Sequence, residues 1–300
     1  GFKLILLSSD KPQQFCLGEV CLQNQAGADD TCPSLQNKHK SGWVKDAKLR
    51  VLSFSPRVFA IDNFLSPVEV QRMIELGSDL MSAQWEQDRG DKNGWHETPY
   101  DATFMPIKPK FPLQHTVEQR IANITGLPFT EEETSLMFSI SNPGKDTGIT
   151  NDNIHVDKNA GETITATVLI YLTTMGNSNG GHTIFPGVAA SQKNTDPRVD
   201  KTAKLFSKGF AAGHRVLQPQ TTTDGMWSAE AFETTEQECA LAREGKAQSL
   251  VVRPVAGTAL VFHSDLQNGA PDPSAWHAAC FPASGDRRYS VQKFKVKLKT

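Results

Sequence analysis

The chain has 300 residues, 38% of them apolar, which is ample for one large buried core. Its 31 lysines and arginines against 33 aspartates and glutamates give a net charge of −2, without the basic excess of a nucleic-acid or membrane-surface protein. No apolar run reaches the roughly 18 residues of a membrane-spanning helix, and the opening "GFKLILLSS" is too short in large aliphatics for a signal-peptide core.

Residues 1–50 are rich in Gln, Asn, Asp and Lys without apolar periodicity, and read as an extension to a main domain over 51–300. Cys16, Cys21 and Cys32 fall in this extension; the other two cysteines are Cys239 and Cys280. The N-terminal three lack the tight pairs of a zinc site, so a disulfide within the extension is expected, and with it an oxidising compartment. The sequon Asn123-Ile124-Thr125 leans the same way, towards the secretory pathway. "RVFAIDNFLS" then reads as a strand running into a helix cap. Ser66, Pro67 and Glu69 make a capping-box pattern with proline at the first helical position. The helix that follows carries Val70, Ile74 and Leu76 or Gly77 near helical spacing. A second helix over "LQHTVEQRIANITG" puts Val117, Ile121 and Ile124 on one face and ends at Gly126.

After Thr134 the texture changes. "SLMFSIS", "TITATVLIYLTT", "HTIFP", "SLVVRPV", "GTALVFHS" and "RYSVQKFKVKLK" are rich in β-branched and aromatic residues and read as strands. Helices first and many strands afterwards predict an α+β domain built on a sandwich or barrel. A long insertion spans about 187–248. It is polar at first, then helical over "SAEAFETTEQECALAREG", acidic at its start (Glu230, Glu233), basic at its end (Arg243) and closed by Gly245.

The stretch "NDNIHVDKN" holds His155 and Asp157 two residues apart, ahead of the apolar run "TITATVLIYLTT". In extended chain, residues i and i+2 point to one side, so both can reach one metal ion. Two ligands hold a metal poorly. The best third is His277, in "SAWHAACFP". Two histidines and one carboxylate on one face of an octahedron are the ligand set of non-haem Fe(II) oxygenases, with three positions left open. An HxD pattern alone is weak, and His263-Ser264-Asp265 has it too. His263 lies only 14 residues before His277, which leaves no room for intervening strands, and it ends an apolar run as a wall residue would. His182 reads as structural. His39, His96, His115 and His214 have no partner at ligand spacing.

With these residues in place the chain resembles the 2-oxoglutarate- and Fe(II)-dependent dioxygenases, in their prolyl 4-hydroxylase branch. The resemblance covers about 57–298. "FAIDNFLSPVEV" is similar to the opening strand and helix of that family, "ATVLIYLTT" and "GGHTIFP" to its central strands, and "GTALVF", "NGAPDP" and "WHAACFP" to its distal strand, loop and histidine. The resemblance implies a double-stranded β-helix (jelly-roll) core with flanking N-terminal helices. It implies His155, Asp157 and His277 as iron ligands. It also implies 2-oxoglutarate as co-substrate, O2, and ascorbate as an accessory reductant. Arg288 or Arg287 would bind the far carboxylate of 2-oxoglutarate. Arg288 is preferred, because its strand parity matches Phe294, Val296 and Leu298, while Lys293, Lys295, Lys297 and Lys299 would face out. It also falls on the lysine of the family's pattern. Thr167 sits where the family places a threonine near the same carboxylate.

The match departs on the substrate side. Ser141 and Asp152 stand where the family and its peptide-acting members carry tyrosines, and Arg89 and Trp95 persist while their companions are Gly90 and Asp91. With Lys158 and Asn159 beside the metal ligands and the insertion as a lid, Arg89, Trp95 and Asp152 would line a site for a small amino-acid-like substrate, oxidised by hydroxylation or ring closure. The alternatives are a peptidyl-prolyl 4-hydroxylase of the secretory pathway acting on proline-rich peptides, and a non-catalytic jelly-roll binding module.

Overall fold

The computed structural model describes residues 13–17, 20–24, 47–130, 133–143, 151–157, 164–190, 196–213, 226–266, 268–283 and 285–296. In the N-terminal extension, β1 (Gln13–Leu17) and β2 (Val20–Asn24) form an antiparallel hairpin with Cys16 directly opposite Cys21. Cys32 lies outside the described residues, as do the side chains of Cys16 and Cys21.

The main domain begins with the hairpin β3 (Lys48–Phe54) and β4 (Arg57–Asp62), followed by α1 (Pro67–Arg89), β5 (Tyr100–Phe104) and α2 (Pro112–Thr125). The strands β6 (Met137–Ser141), β7 (Asn151–His155), β8 (Ile164–Tyr171) and β9 (Thr183–Ala189) come next. The insertion carries α3 (Pro197–Ala211) and α4 (Met226–Arg243). Then come β10 (Ser249–Val252), β11 (Ala259–His263), β12 (His277–Cys280) and β13 (Arg288–Val296). One antiparallel sheet runs β3-β4-β11-β8-β13-β6-β5 and the other β10-β9-β12-β7. From β6 onward the chain crosses repeatedly between the two sheets, which is the winding of a jelly roll.

Three apolar clusters define the layers. Leu169, Tyr171, Phe185, Leu250, Leu260 and Phe262 meet between the sheets. On the outer face of the seven-stranded sheet, Phe138, Val168, Ile170 and Val261 pack with Met73, Met81, Val117 and Ile121 of α1 and α2. On the outer face of the four-stranded sheet, Ile154, Ala278 and Cys280 pack with Phe206 of α3 and Ala231, Cys239 and Ala242 of α4. Side chains of β8 therefore alternate between the interior (Leu169, Tyr171) and the helix layer (Val168, Ile170), as a period of two requires.

Local signals explain the helix limits. Ser66 Oγ accepts from the Glu69 N–H, and Glu69 Oε2 accepts from the Ser66 N–H, so two end groups of α1 are satisfied reciprocally. Glu69 also takes an ion pair of 2.8 Å from Arg120, which ties the start of α1 to α2. Gly77 is the point where α1 lies against the sheet: a Cβ there would meet the Phe138 ring at 2.2 Å. Gly126 closes α2 in the left-handed region at φ 66.

Four expectations change. First, α3 was missed, although Asp196 caps it, Pro197 opens it, and Val199, Thr202 and Phe206 share its buried face. Second, the described helices of the insertion cover the outer face of the four-stranded sheet, so they form a wall and not a lid over the site. Third, Lys293 and Lys295 do not face water. Both are 0% exposed, while Phe294 and Val296 are half-buried. The sheet's outer face is covered there: Lys293 Nζ donates to Glu118 Oε1 of α2 (3.1 Å) and Lys295 Nζ to Glu133 Oε2 (2.7 Å). Fourth, the sequon lies in α2, with Asn123 half-buried and Thr125 fully buried, its hydroxyl on the Ile121 carbonyl.

Candidate metal centre

His155 ends β7 and His277 begins β12. The two strands pair antiparallel with these histidines directly opposite each other. Asp157 follows β7 by two residues. The sheet register thus brings together residues far apart in sequence. Ligand-capable atoms of His155, Asp157 and His277 all lie within 4.8 Å of one another. His155 Nε2 is 3.2 Å from Asp157 Oδ1, and His277 Nε2 is 3.6 Å from Asp157 Oδ2.

His277 Nδ1 lies 3.0 Å from the Ala275 carbonyl. Donating its proton there leaves the Nε2 lone pair facing the other two residues. The ring is buried and packs edge-on against Phe262 at 4.5 Å between centroids, with Phe185 at 5.7 Å. Burial pushes the His277 imidazole down to about 4, which keeps it neutral. Burial alone would raise the Asp157 carboxyl, but the His277 and His155 imidazoles and the Thr167 hydroxyl outweigh it and hold the group at about 2. An anionic carboxylate and two imidazoles converging on one point are the donor set a divalent iron takes, so the residues fit that ion.

Arg288 starts β13, paired with Ser141 of β6, and is buried inside the barrel. Its Nη1 donates to the Gly181 carbonyl and its Nη2 to Ser141 Oγ, each at 3.1 Å. Its Nε has no partner among the described residues. Arg287 points the other way, with Nη1 2.6 Å from His96 Nδ1. Tyr171 lies near enough to Arg288 to feel its charge; its hydroxyl donates to Thr183 Oγ1 at 2.7 Å, and burial pushes it up to about 12. Tyr171 and Thr183 were not singled out as site residues in the sequence, and Ser141 was noted only as a departure on the substrate side. Tyr171 carried a signal, since it lies four after Thr167 on the same face of one strand.

Thr167 is fully buried, and its hydroxyl donates to Asp157 Oδ2. Arg89 is exposed at the end of α1, with its guanidinium 4.0 Å over the Trp85 ring. Trp95 is 2% exposed within the helix-layer core, its indole N–H shared between Ser82 Oγ (3.2 Å) and the Lys92 carbonyl (3.0 Å). The Trp95 carbonyl accepts from Asn142 Nδ2 at 3.1 Å, just past β6, so this residue also touches the end of the seven-stranded sheet. The backbone of Asp152 pairs with Ala279, and its side chain lies outside the described residues, as do Lys158 and Asn159. His182 and His263 are buried. Burial pushes them down to about 4 and about 3, in keeping with wall positions.

No family model matches the chain. Prolyl 4-hydroxylase 2 of Arabidopsis thaliana is 24% identical over 260 residues, covering 85% of this chain and 72% of its own length. The chain is a homologue of the prolyl 4-hydroxylases. Among solved structures, the viral collagen prolyl hydroxylase of Paramecium Bursaria Chlorella virus-1 is 12% identical, with a TM-score of 0.44 over 81% of this chain and 96% of that one. A Pseudomonas putida prolyl-4-hydroxylase is 11% identical, with a TM-score of 0.41 over 82% and 96%. The kinship rests on the sequence match and on the ordered motifs. With it, the oxygenase class, its iron and its 2-oxoglutarate stand as the sequence led one to expect; the substrate is a separate matter.

Proposed function

We propose that the chain is an Fe(II)- and 2-oxoglutarate-dependent oxygenase that hydroxylates proline in a peptide. The observation that carries the oxygenase reading is the convergence of His155, Asp157 and His277 within 4.8 Å. When bound, the iron, with 2-oxoglutarate and O2, supplies the oxidising power to convert an unactivated C–H bond into C–OH while succinate and CO2 are released. The chain's own residues prepare for this. Asp157 brings the one negative charge, and the His277 imidazole stays neutral and aimed. Phe185 and Phe262 keep water from the His277 side. Arg288 offers a buried, forked cation whose Nε has no partner among the described residues, suited to a carboxylate held in the barrel. Its neighbours Ser141, Tyr171 and Thr183 supply hydroxyls around it.

The peptide reading is supported by the kinship to prolyl 4-hydroxylases over most of the chain. It gains because Arg89 and Trp95 sit in the helix layer, and because the described insertion helices are a wall. A second reading, a small amino-acid-like substrate, is supported by Ser141 and Asp152 at places where tyrosines were expected. Succinate release with proline-rich peptides, against free amino acids and their derivatives, separates the two. Turnover of peptides alone supports the first reading. Turnover of free amino acids alone overturns it.

A further inference from the structure

We propose that Thr167 is a positioning residue for the metal ligand Asp157, and that it makes no contact with the co-substrate. This deepens the proposed function and rests on a metal being held by the triad.

Thr167 lies near the middle of β8, in the interior of the seven-stranded sheet, flanked by Phe262 of β11 and Phe294 of β13. Its backbone is therefore fixed on both sides. Asp157 belongs to the other sheet, two residues past the end of β7. The hydrogen bond from Thr167 Oγ1 to Asp157 Oδ2 thus crosses the barrel and ties one sheet to the carboxylate at the metal centre. Tyr171, four residues on and on the same face, makes a second crossing bond, to Thr183 of β9.

A threonine hydroxyl has one proton to give. Here it goes to Asp157. The carboxylate of a bound 2-oxoglutarate has only acceptor atoms and would need that same proton. Thr167 cannot serve both, and the side chain is fully buried with its partner. The donor need near the co-substrate is met instead by Arg288, whose Nε has no partner among the described residues.

The bond also sets how the carboxylate is turned: Oδ1 faces His155 Nε2 at 3.2 Å and Oδ2, held by Thr167, faces His277 Nε2 at 3.6 Å. A carboxylate without this anchor would be free to turn about its last torsion, and part of the metal affinity would be lost to ordering it.

The test is metal affinity, measured on the metal-free protein by titration with Co(II) and read by visible absorption. The variants are Thr167→Val, which keeps the shape and loses the hydroxyl, Thr167→Ala, and Thr167→Ser, which restores the hydroxyl. The expected result is a loss of about tenfold or more in Co(II) affinity for Val and Ala, with Ser close to wild type. The 2-oxoglutarate concentration for half-maximal turnover, at saturating Fe(II), should move by less than about twofold. Unchanged Co(II) affinity in a folded Val or Ala variant overturns the proposal, as does a large rise in the 2-oxoglutarate requirement at saturating iron. Absence of Co(II) binding by the wild-type chain would overturn the metal reading itself, and this one with it.

Discussion

At the scale of single residues, the site depends on charges kept in defined states. Loss of any one ligand removes a donor the other two cannot replace, whereas the fold rests on apolar burial elsewhere. His155→Ala, Asp157→Ala and His277→Ala are each expected to abolish succinate production while far-ultraviolet circular dichroism stays at wild type. Turnover near the wild-type rate in any of them would remove that residue from the ligand set. The two adjacent arginines give a second, sharper expectation. Arg288 is buried, its Nε without a partner among the described residues, and Arg287 is turned outward to His96. Arg288→Ala should raise the 2-oxoglutarate requirement by about a hundredfold or more, since a buried carboxylate would lose a partner worth several kcal/mol. Arg287→Ala should change it little. The reverse order would place the co-substrate on the outer side of β13.

At the scale of elements, the helix layer is held by charge as well as by packing. Lys293 and Lys295 reach from β13 to Glu118 of α2 and to Glu133, all four nearly or fully buried. Removing one partner leaves a buried charge uncompensated, so Lys293→Met is expected to cost about 3–5 kcal/mol of stability in urea unfolding. Replacing Lys293 and Glu118 together by apolar residues should cost less than the two single changes summed. This cluster was not legible in the sequence. An alternating Phe-Lys-Val-Lys run has the pattern of a half-exposed strand, and only the docking of α2 turns its polar side inward. The capping box at Ser66 and Glu69, the apolar face of α2 and the His155–Asp157 pair were legible, because each is set by spacing within a few residues. Trp95 shows the opposite limit. Its place in the sequence suggested a substrate wall; its indole partners Ser82 and Lys92 were not legible, because only the folding of α1 against the 3-10 turn Gly94–Glu97 supplies them. Thr167 was legible as an interior strand residue near the site; its partner Asp157 depends on how the two sheets face each other. Ser66→Ala offers a direct check on the legible part, with an expected loss of about 1 kcal/mol.

At the scale of the whole molecule, the jelly roll is a sandwich of two sheets, each covered on its outer face by a helix pair. The centre lies where β7 and β12 of the smaller sheet meet residues of the larger one. A disulfide between Cys239 and Cys280 fastens α4 to β12, three residues from His277, and closes a loop of 41 residues in sequence separation. The expected bridge was in the N-terminal extension; the fold shows one that sequence spacing could not, because its cysteines meet only when the insertion folds back on the sheet. Cys239→Ala is expected to lower stability by about 2–4 kcal/mol, measured by denaturant unfolding without reductant. An unchanged midpoint would mean that α4 is held by packing alone. A barrel that holds iron and 2-oxoglutarate together should show it on anaerobic addition of Fe(II) and 2-oxoglutarate to the purified chain, through the visible charge-transfer absorption of the co-substrate on the metal. That band is expected in the wild-type chain and should be lost in Asp157→Ala. A folded wild-type chain that shows no band would contradict the iron and 2-oxoglutarate reading and leave a jelly roll that binds without catalysing.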